Sequence, residues 1–343
     1  MISSPKKICV VGEWLHGVPD EGIHNLAQNL LDQWRKDHPV WTIRIGTDLL
    51  VNRLFLSLQL RKMLRNIRPD LVFYISPSSM KIAALFRAKM LKLYCSQAQV
   101  LIIALQPIVY NDLERRLLSP LVPDGIFVQS PRGKEQLQGL RCPVYFLPSG
   151  VDLNRFMPVD ADQKIALRQR YGVNEKAFVV LHVGHIQQSR NIELISIVPQ
   201  LRDVQVILVG STSTPQDEAL VRQLTHLDVR VVREFMPHIE ELYQLADVYL
   251  FPVVSEHAAI GVPLSVLEAM ACNLPVITTR FGGLPQMFPE GRGLFYFNDE
   301  AELPKLMKSA RSLSQYGTRQ MVETYAWSRV AHKALEMTLT EDS

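Results

Sequence analysis

Short apolar runs bounded by turn residues recur along this chain. They alternate with longer segments whose apolar positions repeat at helical spacing. Lys7–Val11, Trp41–Ile45, Leu71–Ile75, Val100–Leu105, Gly125–Val128 and Val144–Leu147 are expected to be strands. Ile23–Trp34, Leu54–Ile67, Ser79–Tyr94 and Gly133–Leu140 are the helices expected between them. The pattern then restarts, with strands at Phe178–Val183, Val204–Val209, Val229–Val232, Val248–Phe251, Pro275–Thr278 and Gly293–Phe295. Its helices are Ile192–Leu201, Gln216–Leu224, Ile239–Leu245, Pro263–Ala271 and Gly283–Met287. Such alternation predicts parallel sheets covered by helices on both faces. The fold class is therefore α/β, with two doubly wound, Rossmann-like domains. The break falls after Pro158, where Val159–Lys164 is polar and Tyr171–Lys176 is turn-rich. The expected division is a first domain over 1–158, a second over 165–324, and a final helix and tail over 325–343. Doubly wound sheets take ligands beyond the carboxyl ends of their strands, so two such domains facing each other predict a central cleft.

Composition narrows the class. The 343 residues are 47% hydrophobic and 21% charged, which suits two ordinary globular cores. Every apolar stretch is interrupted by Lys, Arg or Pro before ~18 residues, so no transmembrane helix is expected. The N-terminus runs from Lys6 and Lys7 straight into the first strand, without the order of regions of a signal peptide. Cys9, Cys95, Cys142 and Cys272 are scattered and form no CxxC pair. Neither a zinc site nor a disulfide framework is expected, and a cytoplasmic location fits. The net charge of +3 is unevenly placed. Residues 1–150 hold 19 Lys+Arg against 11 Asp+Glu, a net of +8; the remainder hold 18 against 23, a net of −5. A basic first half suggests an anionic partner, such as a membrane surface, a nucleic acid or an acidic substrate. Plain solubility charge is the alternative.

The chemistry concentrates in Gly261–Thr279. Here one carboxylate, Glu268, stands in an otherwise apolar run that reads as a helix entering a buried strand. A lone Glu against a sheet is costly unless a ligand or partner satisfies it. The turn Gly261–Leu264 feeds the helix N-terminus, whose free N–H groups suit an anion such as a diphosphate. Anion site and hydroxyl-binding carboxylate on one helix look like a nucleotide site. A buried amphipathic helix with Glu268 capped by a neighbour is the other reading of this segment.

Six segments in order resemble one family. Pro148–Pro158 resembles the interdomain pattern P-N-G-V-D-x-x-x-F-x-P, and His182–Asn191 the loop V-G-R-x-x-x-x-K-G. Leu208–Gly210 resembles the I-V-G strand end, and Leu245–Pro252 the pattern A-D-V-x-x-x-P. Leu264–Val276 resembles L-x-x-L-E-A-M-A-x-G-x-P-V, followed by a gly-gly turn at Gly282 and Gly283. Together they resemble the nucleotide-binding half of the retaining GT-B glycosyltransferases, most closely glycosyltransferase family 4 (glycosyl transferases group 1). The resemblance covers roughly 145–330 well and the first half weakly.

The resemblance implies roles. Glu268 accepts hydrogen bonds from the ribose hydroxyls of a nucleotide sugar, both of which one carboxylate can take. The N–H groups of Leu264 and Ser265 face the diphosphate. Arg190 stands where the family has its phosphate-binding Lys, and Gly184 lets the backbone approach the phosphates. Gly22 matches one glycine of the turn that opens the first helix, where Glu21 replaces the other. Departures are informative. Ile260 replaces a Glu that contacts the donor sugar, with Glu256 four residues earlier. His185 replaces an Arg of the phosphate loop, Ser149 the interdomain Asn, and Asn273 a Gly. Gln106 follows the fourth strand where the family often has a His; it can hydrogen-bond a sugar hydroxyl but is no general base. Gln106 and His24 are the candidate catalytic residues on the acceptor side, with His16 also near the expected cleft. The one Asp-x-Asp spacing considered, Asp160 and Asp162, lies in the expected linker and is read as solvated. No cofactor or metal is expected. The donor is a nucleotide diphosphate sugar, and cations and helix dipoles stabilise the leaving diphosphate.

The expected activity is metal-independent transfer of a sugar to an acceptor hydroxyl with retention of configuration. The expected partners are a nucleotide sugar and a glycan or lipid-linked acceptor. The basic first half fits peripheral contact with the inner membrane surface. On Ser79–Tyr94, Lys81, Lys89 and Lys92 cluster beside Ile82, Phe86, Met90 and Leu93, as on an interfacial helix. An ordinary helix with its apolar side on the sheet is the alternative. Two rival functions remain: a noncatalytic GT-B protein that binds a nucleotide sugar or glycan or supports a partner transferase, favoured by Ile260, and a nucleic-acid binder. The second lacks any recognised motif, so nucleic acid is not an expected partner.

Overall fold

The computed structural model describes residues 4–12, 22–46, 49–76, 81–106, 110–200, 203–212 and 215–339. His16 and Glu21 lie outside them. The chain forms two compact units.

In the first unit, β1 (Ile8–Gly12), β2 (Val40–Arg44), β3 (Leu71–Ser76), β4 (Gln99–Ala104), β5 (Gly125–Val128) and β6 (Val144–Phe146) form one sheet. Its order is β2-β1-β3-β4-β5-β6 and all pairings are parallel. Every residue of β3 is buried, as a strand covered on both faces requires. On one face Val72, Tyr74, Val100 and Ile102 pack with Leu60, Leu64, Leu85 and Ala88. On the other, Trp34 stacks on Phe73 with ring centroids 4.5 Å apart. The Trp34 indole donates to the carbonyl of Ala331 at 3.0 Å, so the final helix, Trp327–Leu339, belongs to this core.

The second unit repeats the plan. Its strands are β7 (Phe178–Gly184), β8 (Val204–Gly210), β9 (Val229–Val232), β10 (Val248–Phe251), β11 (Val276–Thr279) and β12 (Leu294–Phe297). They are ordered β12-β11-β10-β7-β8-β9, again all parallel. The strand order reverses between β7 and β10, which is where a doubly wound sheet opens a ligand crevice. Alternate strand residues feed two cores. Leu181, Tyr249 and Val276 pack with Tyr243, Val266 and Met270. Val180, Leu208 and Ile277 pack with Ile195, Leu224 and Met307.

Several boundaries differ from expectation. The compact units divide between Ser149 and Gly150, and the final helix, Trp327–Leu339, groups with the first unit rather than standing apart. The cause is local: Val151 N–H donates to the carbonyl of Tyr325 at 2.9 Å, and Val151 and Phe156 are buried in the second core. The expected linker is a helix, Ala161–Arg170, whose N-cap Asp160 forms a capping box with Gln163. Asp160 Oδ1 accepts from the Gln163 N–H at 2.8 Å, and both Asp160 and Asp162 are exposed, in keeping with the solvated pair expected there. The expected helix over Leu54–Ile67 is interrupted. Phe55 adopts φ +60°, and Ser57 caps a new helix at Leu58–Ile67. Asp112–Leu118, Leu303–Ser312 and Thr318–Val322 are helices that the apolar pattern did not mark. Asn273 sits at φ +58°, a conformation that Asn tolerates better than most residues, which explains how it replaces a glycine.

Candidate functional site

Glu268 lies in the middle of the Leu264–Ala271 helix. Ala269, Met270 and their neighbours bury that helix against β10 and β11, leaving Glu268 half-buried. Its Oε2 accepts the hydroxyl of the fully buried Tyr243 at 2.8 Å. Burial nevertheless pushes the carboxyl up to about 7, with Tyr243 and Arg155 pulling it down. Glu268 is therefore capped by a neighbour, as the simpler reading of its segment expected, yet it carries a carboxylate that ionises near neutrality. Pro263 precedes the helix and no side chain caps it. The first N–H groups are left for solvent or an anion.

The loop after β7 comes from the other side of the strand reversal. A Cβ on Gly184 would lie 2.8 Å from Arg190 Nη1 and 3.2 Å from His182 Nε2, so only glycine leaves room for both. Burial lowers the Arg190 guanidinium to about 10, which leaves it charged at neutral pH. Asn191, at φ +57°, turns the chain there, and its Nδ2 donates to the carbonyl of Pro252 at 3.3 Å. That bond ties the β7 loop to the end of β10. His185 is half-buried in the same loop, and Ile260 is half-buried in the segment following β10, where Glu256 is also half-buried.

Aromatic residues connect the two sides. Tyr249 donates to the carbonyl of Val183 at 3.2 Å and bonds with the Ser265 side chain. Its ring stacks beside His182 at 6.2 Å and lies 5.7 Å from Tyr243. Glu268, Ser265, Gly184 and Arg190 thus belong to one packed network at the carboxyl ends of β7 and β10, with Leu264 beginning the helix. Gly282 packs against Gly261, in the turn that leads into the Leu264–Ala271 helix. It adopts φ +53°, and a Cβ there would collide with the carbonyl of Gly261, which also accepts from Gly283 N–H at 2.9 Å.

Of the remaining predicted residues, His24 and Gln106 are in the first unit, and Gly22 groups with the second. Gly22 opens the Gly22–Trp34 helix, His24 is half-buried in its first turn, and Gln106 is half-buried just beyond β4. The expected basic cluster on Lys81–Tyr94 is only partly present. Lys92 bonds Asp124 Oδ2 and the carbonyl of Ala98, each at 2.8 Å, which takes it out of the cluster. The side chain of Lys81 lies outside the description. Phe86 and Met90 are half-buried, while Ile82 and Leu93 are exposed. No helix among the described residues is long and apolar enough to cross a membrane.

Sequence reasoning missed His182, Tyr243 and Tyr249. Tyr243 lies just ahead of the A-D-V pattern, but nothing local connects it to Glu268. The same pattern's Asp247 is architectural. It accepts from Val179 N–H at 2.7 Å, Lys164 at 2.7 Å and Arg168 at 2.6 Å, holding the Ala161–Arg170 helix to the sheet. No group of three or more His, Cys, Asp or Glu side chains among the described residues is arranged to hold a metal ion.

Residues 177–312, which include this network, match the family model for glycosyl transferases group 1. A D-inositol 3-phosphate glycosyltransferase of Geodermatophilus obscurus is 34% identical over 206 residues, covering 53% of this chain and 44% of the relative. A GDP-mannose-dependent alpha-(1-6)-phosphatidylinositol monomannoside mannosyltransferase of Mycolicibacterium smegmatis is 34% identical over 158 residues, covering 43% and 41%. The chain thus spans less than half the length of these two relatives. Among solved structures, Anabaena HepE in complex with UDP-glucose superposes with a TM-score of 0.76 at 15% identity, covering 98% of this chain and 100% of that one. A glycosyltransferase from Rickettsia africae gives 0.79 at 12% identity, covering 99% and 100%. At these identities the likeness establishes the fold, which is GT-B.

Proposed function

We propose that the protein is a retaining glycosyltransferase that moves a sugar from a nucleotide diphosphate sugar to an acceptor hydroxyl. The observation that carries this reading is the half-buried Glu268, held by Tyr243 on a helix with no N-terminal cap. In the ionised form its carboxylate accepts from the two ribose hydroxyls. The N–H groups of Leu264 and Ser265, with the Arg190 guanidinium, meet the charge that develops on the departing diphosphate. This machinery calls for no metal or other cofactor. His185 adds positive charge only when protonated. Ile260 offers the donor sugar an apolar contact in place of a hydrogen bond. In the first unit, Gln106 and His24 are the proposed acceptor-side groups; Gly22 is a proposed donor-side residue, where the lack of a side chain allows close approach to the nucleotide sugar.

The acceptor we favour is lipid-linked or glycan, reached at the inner membrane surface from the cytoplasm. Ile82, Leu93, Leu113 and Leu117 are exposed apolar side chains in the basic half of the chain, consistent with interfacial contact. Cys9, Cys95, Cys142 and Cys272 are not in disulfides, in keeping with a reducing compartment. Nucleic acid is not a proposed partner.

A second reading rests on Ile260: a protein that binds the nucleotide sugar without transferring it. One experiment separates the two. UDP and GDP sugars, the donor classes named among the relatives and solved structures, are screened by thermal shift. Any that bind are then assayed for release of nucleoside diphosphate with and without lipid and glycan acceptors. Binding with release supports the transferase. Binding without release under any acceptor supports the second reading, and no binding removes both.

A further inference from the structure

His182 is fully buried, and its place in the network has no counterpart in the roles assigned above. Its Nδ1 lies 2.8 Å from the carbonyl oxygen of Leu250. A carbonyl only accepts, so Nδ1 carries the proton. The neutral ring then presents a lone pair at Nε2. That atom is buried without a hydrogen-bond partner, an arrangement that native proteins rarely tolerate without a purpose. Burial first, and the neighbouring Arg190 charge in addition, lower the imidazole to about 4, so the ring is neutral under ordinary conditions.

The bare α-carbon of Gly184 separates Nε2 from a guanidinium. Arg190 Nη1 and His182 Nε2 both lie within about 3 Å of the point where a Gly184 side chain would begin. The two groups flank Gly184 without a hydrogen bond between them in this structure. We propose that His182 is a positioning residue for Arg190: when a diphosphate draws in the guanidinium, the Nε2 lone pair accepts one of its N–H groups across Gly184 and aims the remaining fork at the phosphates. The chemistry favours an imidazole here. A carboxylate would orient the guanidinium equally well but would neutralise it and compete with the phosphate. A protonated imidazole would repel it. A neutral acceptor fixes direction and leaves the full positive charge for the ligand. Guanidinium carries five N–H donors, so giving one to Nε2 still allows bidentate phosphate binding. The bond between Nδ1 and Leu250 spans β7 and β10 just beyond their last paired residues, and it locks the ring at the crevice. The stacked Tyr249 ring holds its plane.

This inference rests on the nucleotide-site reading, and the experiment keeps the two apart. UDP, GDP and inorganic pyrophosphate are titrated calorimetrically into wild type, His182→Phe, His182→Gln, Arg190→Ala and the double variant His182→Phe with Arg190→Ala. His182→Phe is expected to weaken the nucleoside diphosphate that binds about five- to tenfold, the worth of one charge-assisted hydrogen bond. It should have no further effect in the Arg190→Ala background. His182→Gln, which restores an acceptor at the Nε2 position, should recover part of the affinity. An equal loss in the Arg190→Ala background, or no loss in wild type, overturns the proposal. Nitrogen NMR of wild type with and without the nucleoside diphosphate that binds provides a readout free of core substitution. The Nε2 resonance of His182 should be that of an unprotonated nitrogen and should shift as an acceptor's does when the ligand binds. A protonated Nε2, or a resonance indifferent to the ligand, also overturns the proposal. If none of the three ligands binds wild type, the nucleotide-site reading fails; binding that His182→Phe leaves unchanged keeps that reading and overturns the positioning role.

Discussion

The hydroxyl of Tyr243 donates to Glu268 Oε2 at 2.8 Å, although the two residues come from different helices flanking β10. Tyr243 is fully buried and Glu268 half-buried, so this bond sets the carboxylate against a dry aromatic wall. The wall includes Tyr249 and, edge-on, Phe156. The arrangement holds the carboxylate in place and also raises its pKa, and both effects can be measured.

The raised carboxyl of Glu268, at about 7 against an ordinary 4.5, predicts a pH-dependent stability. Below the lower value both folded and unfolded chains are protonated. Between the two, the unfolded chain releases a proton that the folded chain keeps, so this residue lowers stability as pH rises. Above about 7 the loss is complete, on the order of 3 kcal/mol. Glu268→Gln should remove the slope and be more stable than wild type at pH 8, while losing nucleoside diphosphate binding. Wild-type binding should strengthen from pH 6 to 8 as the carboxylate ionises. Urea unfolding and calorimetry at pH 5 and pH 8 check both. Parallel stability profiles for wild type and variant would remove Glu268 as the source.

Gly282→Ala should destabilise the second unit by at least ~1 kcal/mol, because the position combines a positive φ with a backbone collision at Gly261. The same shift displaces the loop that leads to Leu264, so donor affinity should fall alongside Tm. Differential scanning calorimetry with and without the nucleotide ligand reads both. An unchanged Tm would mean that the turn relaxes freely.

Ile260→Glu tests the donor side. If Ile260 packs on an apolar sugar face, as in a deoxy sugar, the added carboxylate is desolvated without a partner and activity falls. If the site is merely degenerate, the change is neutral or restores transfer of a common hexose. Initial rates with hexose and deoxyhexose donors distinguish these results. Strong wild-type transfer of an ordinary hexose would contradict both and direct attention to Glu256 in the same segment.

Transfer activity should survive EDTA. The diphosphate charge is assigned to Arg190 and the N–H groups of Leu264 and Ser265, and Asp160 of the Asp-x-Asp spacing is occupied as a helix cap. Product formation with and without chelator, followed by addition of magnesium or manganese, is the measurement. Loss in EDTA with recovery on adding metal would defeat the expectation.

The sequence by itself determined the two doubly wound sheets. Strands such as Leu71–Ser76 and Val248–Phe251 are buried on both faces, so they appear as continuous apolar runs whatever surrounds them. It also marked Glu268, because a lone carboxylate in an apolar helix is conspicuous before any partner is known. Features that depend on a cap or on remote contacts were not legible in the same way. Asp160 begins a helix that a polar, weakly amphipathic segment does not advertise, and the Lys92 ammonium is taken by Asp124, 32 residues away. Only the tertiary structure decided which groups meet. Tyr243 stands 25 residues from Glu268, and the carbonyl that fixes the His182 ring belongs to Leu250, 68 residues away. The reason is physical. Parallel strands that are neighbours in the sheet are distant in the chain, so side chains at their carboxyl ends converge through topology, and no local periodicity records that convergence.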